Sequence, residues 1–368
     1  MNCLHILPMN KLSGAEKLAL ILCKNMNKYN PIVVCGGDNL KSVFEKENIE
    51  SYSVDFFNNN ILKNAKGLKK IIKEKNIKII HAHDNNASIN AYITKLLYRL
   101  DIVVISHIHN CYPWLEGSSK TKKIDKFFRK RYDYNIACGS LVYDYYSKHT
   151  DYINENNTVS LPNAIDVEDI KNYINNDLSN MYEEFKIDKR KKVLGFIGRL
   201  SEQKGIIPFI KELSKHKDKF NDCHFLLVGS GEQEEEVKEL IKLLDMEELF
   251  ILTGYQDNIY KFYPIIDVFF LPSLYEGLPM VILEAMSFEK SIVSMNVGSI
   301  NEVIKNNKNG ILINKDDYEE FINKLYFIKE NEEISKDYGK KASKYIKDNY
   351  DIKEYSKKVE ELYNKLNK

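Results

Sequence analysis

Short apolar runs rich in Ile and Val, separated by amphipathic stretches of helix length, recur from one end of this 368-residue chain to the other. In the first half they lie at 3–7, 31–35, 77–81, 102–106, 134–138 and 157–161; in the second they lie at 193–197, 225–228, 249–252, 268–271, 291–294 and 311–313. Runs this short and this apolar are strands buried on both faces, and strands that alternate with helices build parallel sheets from βα units. Ligands of such sheets gather at the carboxyl ends of the strands. The alternation is interrupted by a polar stretch at about 167–191. Two domains of roughly 150 residues suit this length better than one core. We therefore expect a doubly wound α/β domain at 1–170, a linker at 171–191 and a second such domain at 192–351, followed by a tail helix at about 352–368.

Composition serves mainly to exclude. A net charge of +1 argues against an electrostatic nucleic-acid binder. The six cysteines show no CxxC pair and sit mostly in apolar runs, which predicts reduced core thiols, neither a disulfide framework nor a zinc site. The start, Met1 to Pro8, lacks a basic leader and a long apolar segment, and no run approaches the roughly 20 apolar residues of a membrane span. A cytoplasmic protein is expected.

The most chemical stretch runs from Tyr275 to Met286 and follows the strand run at 268–271. Pro279 suits the first residue of a helix, where its missing N–H has no partner to lose. Glu276 then lies in the turn beside the amides of Gly277, Leu278 and Met280, and Glu284 lies more than one helical turn further on. Unpartnered amides and the helix dipole favour an anion. Carboxylates aimed at a phosphate would repel it, so the two acids are placed to bind hydroxyls on either side. Hydroxyl, diphosphate, hydroxyl describes a nucleotide-sugar. Singly, Glu276 is a loop acid and Glu284 an ordinary helix residue; the pair with Gly277 and Pro279 between them carries the argument. It resembles the two-glutamate signature, Glu then seven residues then Glu, of the retaining glycosyltransferases of family 4, which have the two-domain GT-B fold with Rossmann-like domains facing across a cleft.

Other stretches extend that resemblance. Gly198-Arg199-Leu200 with Lys204-Gly205 puts two permanent cations after a strand, and it resembles the family's GRLxxxKG motif, which implies Arg199 and Lys204 on the donor diphosphate. Ser13-Gly14-Ala15-Glu16 is either a helix cap or, by resemblance to the family's GGAE loop, a place where Gly14 approaches the diphosphate. Ser106-His107-Ile108-His109-Asn110 is similar to the HSHN string of exopolysaccharide-making members, which implies that His109 contacts the transferred sugar. The loop at Thr253-Gly254-Tyr255-Gln256-Asp257 resembles the segment that meets the nucleobase. A UDP-sugar is the favoured donor, although these residues do not separate uracil from guanine or adenine. Leu161-Pro162-Asn163-Ala164-Ile165-Asp166 is similar to the turn that closes the first domain, and in the family the tail helix braces that domain.

Some features have plainer readings. Val228-Gly229-Ser230-Gly231 lacks the third glycine of a dinucleotide fingerprint. His81 and His83 share one strand face, but no further ligand stands near them in sequence, so no metal site is expected. Ser299 with Glu302 spells a capping box. The run from Lys120 to Asp133 holds seven basic and two acidic residues: it is a solvated helix face or, with Phe127 and Phe128 inserting, a patch for anionic lipid headgroups on the inner membrane surface.

The combined expectation is a retaining transferase. It moves a sugar from a nucleotide-diphosphate sugar to a glycan or lipid-linked glycan hydroxyl in cell-surface polysaccharide synthesis. No Asp-x-Asp motif of a metal-dependent transferase is present, so leaving-group charge would fall to Arg199, Lys204 and helix amides, without metal or other cofactor. Glu276 would hold sugar hydroxyls and Glu284 ribose hydroxyls. A phosphorylase or epimerase of the same build, and a non-catalytic sugar-binding protein, are the alternatives.

Overall fold

The computed structural model describes residues 1–57, 60–174 and 179–367. The chain forms two compact units, Met1–Ile165 with Ile352–Lys368, and Asp166–Asp351.

In the first unit, strands β1 (Asn2–Leu7), β2 (Asn30–Cys35), β3 (Ser51–Ser53), β4 (Ile79–His83), β5 (Val103–Ile108), β6 (Tyr134–Ala137) and β7 (Thr158–Ser160) form one sheet in the order β3-β2-β1-β4-β5-β6-β7. Its pairings are parallel. Both faces are buried, as the unbroken apolar runs require: Ile32 and Val34 of β2 join one core cluster, Val33 and Cys35 the other. The polar strand Ser51–Ser53 carries no apolar run, so the sequence did not announce it. β4 begins two residues later than its run, because Asn76 takes a left-handed conformation (φ 49°) and the Ile77 amide still bonds the Ile72 carbonyl of the preceding helix.

The helix Ile352–Leu366 belongs to this unit. The buried Glu360 carboxylate accepts from the amides of Asn27 (2.8 Å), Lys28 (2.6 Å) and Tyr29 (3.3 Å), and Ser356 donates to the Asn25 carbonyl at 2.9 Å. These bonds anchor it to the end of the helix Gly14–Asn25.

In the second unit, β8 (Lys192–Ile197), β9 (Cys223–Val228), β10 (Phe250–Leu252), β11 (Val268–Leu271), β12 (Ser291–Met295) and β13 (Ile311–Ile313) pair in parallel in the order β10-β9-β8-β11-β12-β13. The units divide after Ile165, earlier than expected. Much of the stretch expected as a linker at 171–191 is helical: Val167–Ile174 and Ser179–Glu184 belong to the second unit and bury Ile170 and Met181, while 175–178 lie outside the described residues. Strand order reverses between β1 and β4 in one sheet and between β8 and β11 in the other. Those reversals open crevices at the carboxyl ends of the strands.

Candidate active site

In the second unit the loops that leave β8 and β11 meet at the reversal. The Lys204 ammonium lies 2.5 Å from Glu276 Oε1, with both side chains largely buried. Ser273 donates to the same oxygen at 2.8 Å and Gln203 Nε2 to Oε2 at 3.4 Å. Gln203 also bonds the Tyr275 carbonyl (3.0 Å), and the Leu274 amide bonds the Gln203 carbonyl (2.8 Å), so the two loops are stitched together. The structure thus brings Lys204 and Glu276 together as one buried pair. Arg199 is directed elsewhere: its Nε donates to Glu232 Oε2 at 2.9 Å, and both side chains are exposed.

Glycines let these loops approach. Gly205 (φ 65°) has no room for a Cβ, which would lie 2.2 Å from the Pro272 carbonyl oxygen. Gly298 (φ 60°) would clash likewise with the Glu276 and Gly277 carbonyls, and the Ser299 amide bonds the Gly277 carbonyl at 2.8 Å. The loop after β12 therefore supports the glutamate turn. The expected capping box is not formed, since the Ser299 hydroxyl caps no amide; the residue's place against Gly277 fixes it instead. Pro279 stands one position before the helix, as its N-cap with extended backbone, and the helix runs Met280–Ser287. Leu278 and Met280 are buried.

Glu284 is fully buried on that helix and accepts a 2.5 Å hydrogen bond from Tyr263. Burial, then the Glu284 charge, raises the Tyr263 phenol well above its ordinary pKa, so it stays a donor. In this structure Glu284 faces Tyr263 inside the unit. Tyr255 is exposed, and Gln256 folds back to donate to the Thr253 carbonyl at 3.1 Å. The Gly254 carbonyl accepts from the Gly229 amide at 3.0 Å, which ties this loop to the turn after β9.

In the first unit Gly14 opens its helix at the loop after β1; Ser13 bonds the Glu16 carboxylate and caps no amide. At the β1/β4 reversal the separate histidines of the sequence converge. His5 of β1, His81 and His83 of β4, His107 of β5 and His109 just beyond it lie in contact, with ring centroids 4.0 Å apart for His107 and His109. Burial lowers the pKa of all five, to about 3 for His5. In two trios, His5, His81, His83 and His83, His107, His109, one nitrogen per ring lies within 4.8 Å of the others, close enough for a metal ion. Sequence reasoning missed this cluster because His5 and His83 stand 78 residues apart. The signal present was a histidine within the first strand run and pairs of histidines at or just past the ends of two others. Asp84, next to His83, holds a left-handed conformation (φ 68°) and accepts from the Tyr112 hydroxyl at 2.6 Å.

The basic run divides. Arg129, expected on a surface patch, is fully buried on the helix Lys120–Arg129 and pairs with Asp125 at 2.7 Å, with further bonds to Ser106, Asn135 and Asn85. Phe128 packs on the core. Ile124 and Phe127 are exposed beside Lys120, Lys123 and Lys130. Among the described residues no helix is long and apolar enough to cross a membrane.

Comparison with known proteins gives a consistent picture. Residues 12–169 match the family model described as Glycosyltransferase Family 4, and residues 177–345 match Glycosyl transferases group 1. The chain is 24% identical to the UDP-Gal:alpha-D-GlcNAc-diphosphoundecaprenol alpha-1,3-galactosyltransferase of Escherichia coli, over 98% of this chain and 95% of that one. It is 23% identical to the N-acetyl-alpha-D-glucosaminyl L-malate synthase of Bacillus anthracis, over 87% and 83%. Among solved structures it is similar to Anabaena HepE in complex with UDP-glucose, with a TM-score of 0.87, 19% identity and coverage of 99% and 100%. A Rickettsia africae glycosyltransferase has a TM-score of 0.82 at 22% identity, with coverage of 99% and 98%.

Proposed function

The chain is a glycosyltransferase of the family 4 type with the GT-B fold, and on that premise we propose that it moves a sugar, with retention of configuration and without a metal, from a nucleotide-diphosphate sugar to a hydroxyl of a lipid-linked glycan. The observation that carries this reading is the buried Lys204–Glu276 pair at the β8/β11 reversal. A donor diphosphate arriving there would exchange Glu276 for phosphate oxygen as the partner of Lys204. Glu276 would turn to a sugar hydroxyl, and Arg199 would leave Glu232 to join the leaving group. Two permanent cations and the first amides of Met280–Ser287 then stabilise the departing nucleotide electrostatically. The acceptor's proton would pass to the leaving phosphate on the same face of the sugar.

Glu284, bonded to Tyr263, would hold the ribose, with Tyr255, Gln256 and Gly277 at the nucleotide. A UDP-sugar and a role in cell-surface polysaccharide synthesis are supported by the UDP-galactose and undecaprenol named for the Escherichia coli relative. A peripheral membrane contact is supported by the exposed Ile124 and Phe127 among lysines. The test is a thermal-shift screen of nucleotide-sugars, followed by transfer assays with a lipid-linked acceptor in chelator. A melting rise of several degrees with one donor is expected. Product of inverted configuration, or transfer abolished by chelator, would overturn the mechanism.

A further inference from the structure

Three features follow one another along the chain just past β5, and the structure ties them together. The turn Pro113–Leu115 carries the chain's one tryptophan, Trp114, whose ring stacks on Tyr112 with centroids 5.4 Å apart and planes 18° from parallel. The pair is held in place: the Tyr112 hydroxyl donates to Asp84 at 2.6 Å, and the Tyr145 hydroxyl bridges the Tyr112 carbonyl (3.1 Å) and the Glu116 carboxylate (3.0 Å). Both residues remain partly exposed. Next comes an open recess of about 240 Å³ lined by Gly117, Ser118, Ser119, Lys122, Lys123 and Lys126. Its wall is bonded to the aromatic turn, since Ser119 donates to the Trp114 carbonyl at 3.0 Å and the Lys122 ammonium to the Leu115 carbonyl at 2.6 Å. Beyond it, on the helix Lys120–Arg129, Ile124 and Phe127 lie three residues apart and so share a face, 49% and 53% exposed.

Each feature suits a different chemistry. A fixed aromatic pair offers a flat apolar surface, on which the C–H face of a sugar ring packs. The lining of the recess holds three lysines and no acid, which favours phosphate oxygens; Asp151 pairs with Lys126 at 2.8 Å and with Lys130 at 3.7 Å and offsets the charge only in part. Exposed apolar side chains among cations suit a lipid chain. Sugar, phosphate and lipid in that order describe one molecule, a sugar joined through a diphosphate to a polyprenyl chain. The headgroups of a bilayer would account for the lysines and the apolar pair, but not for an aromatic ledge bonded to the recess.

We propose that the strip from Tyr112 to Phe127 is a binding site for a polyprenyl diphosphate-linked sugar, with the sugar on Tyr112 and Trp114, the diphosphate at Lys122, Lys123 and Lys126, and the lipid against Ile124 and Phe127. That this lipid receives the transferred sugar rests on the function proposed above; the binding itself does not. The test measures binding of the full-length protein to neutral phosphatidylcholine vesicles carrying undecaprenyl diphosphate with one glucose attached, beside vesicles carrying the same charge as phosphatidylglycerol. Trp114 is the sole tryptophan, so its emission reports on this site. Saturable binding with a shift of that emission is expected, about tenfold tighter than to phosphatidylglycerol. Lys123→Gln with Lys126→Gln, both at exposed positions, is expected to weaken it about tenfold while keeping the melting rise that a nucleotide-sugar donor gives. Trp114→Leu is expected to lose the preference for the glucose-bearing lipid over bare undecaprenyl diphosphate. Equal binding of phosphatidylglycerol, an emission that does not respond, or unchanged affinity in the lysine variant would overturn the proposal. If binding and emission respond while no donor sugar is transferred to this lipid, the site stands and the proposed reaction fails. If transfer occurs with the same acceptor KM in wild type and lysine variant, the reaction stands and the site fails.

Discussion

Removing the Lys204 ammonium separates two effects that the same side chain produces. In Lys204→Ala the Glu276 carboxylate stays buried, keeping Ser273 and Gln203 as donors but losing its cation. Stranding a charge in a buried pair costs about 3–5 kcal/mol, and the two remaining donors reduce this to about 2 kcal/mol. For a unit of this size the melting point should fall by about 4–8 °C. Transfer should fall further, by about 10²–10³ in kcat/KM, because a cation on the leaving group acts mainly in the transition state. Adding Glu276→Gln removes the stranded charge, so the double variant should recover about 1 kcal/mol or more of stability and none of the activity. Urea denaturation with a donor-transfer assay measures both. If folded Lys204→Ala keeps transfer within tenfold of wild type, or if the double variant regains it, Lys204 does not face the leaving group and the reasoning fails.

Four further outcomes are expected. Arg129→Met should lower stability by about 3–5 kcal/mol in urea denaturation, because it leaves the buried Asp125 carboxylate without its cation; Asp125→Asn together with it should recover part of that loss. His5, His81, His83, His107 and His109 titrate lower in the folded chain than in the unfolded one, so the unfolded state binds more protons below pH 6.5 and stability is lost as pH falls through that value; at pH 4.5 His5 alone accounts for about 3 kcal/mol, read as a melting point that declines more steeply with acid than in His5→Asn. Five of the six cysteines are buried, with thiols such as Cys3 and Cys35 pushed up to about 12, so a thiol reagent should titrate Cys111 alone in the native chain and all six after unfolding. For the membrane contact, Phe127→Ser with Ile124→Ser should abolish flotation with anionic vesicles, and equal flotation with neutral vesicles would refute an electrostatic contribution.

What the sequence determined by itself was whatever depends on neighbours in the chain. The βα alternation, the glutamate turn ahead of Met280–Ser287 and the cationic loop after β8 were legible because hydrophobic period, turn chemistry and helix starts are set within a few residues. The tertiary structure decided the partners. It sent Arg199 to Glu232 and Lys204 to Glu276, and it buried Glu284 against Tyr263 and Arg129 against Asp125. It also joined His5 to Tyr363 across 358 residues. A side chain of several rotatable bonds can reach many groups, and which one it meets depends on which strands the sheet makes neighbours. That order is a property of the packed core, so charge pairing follows from the fold.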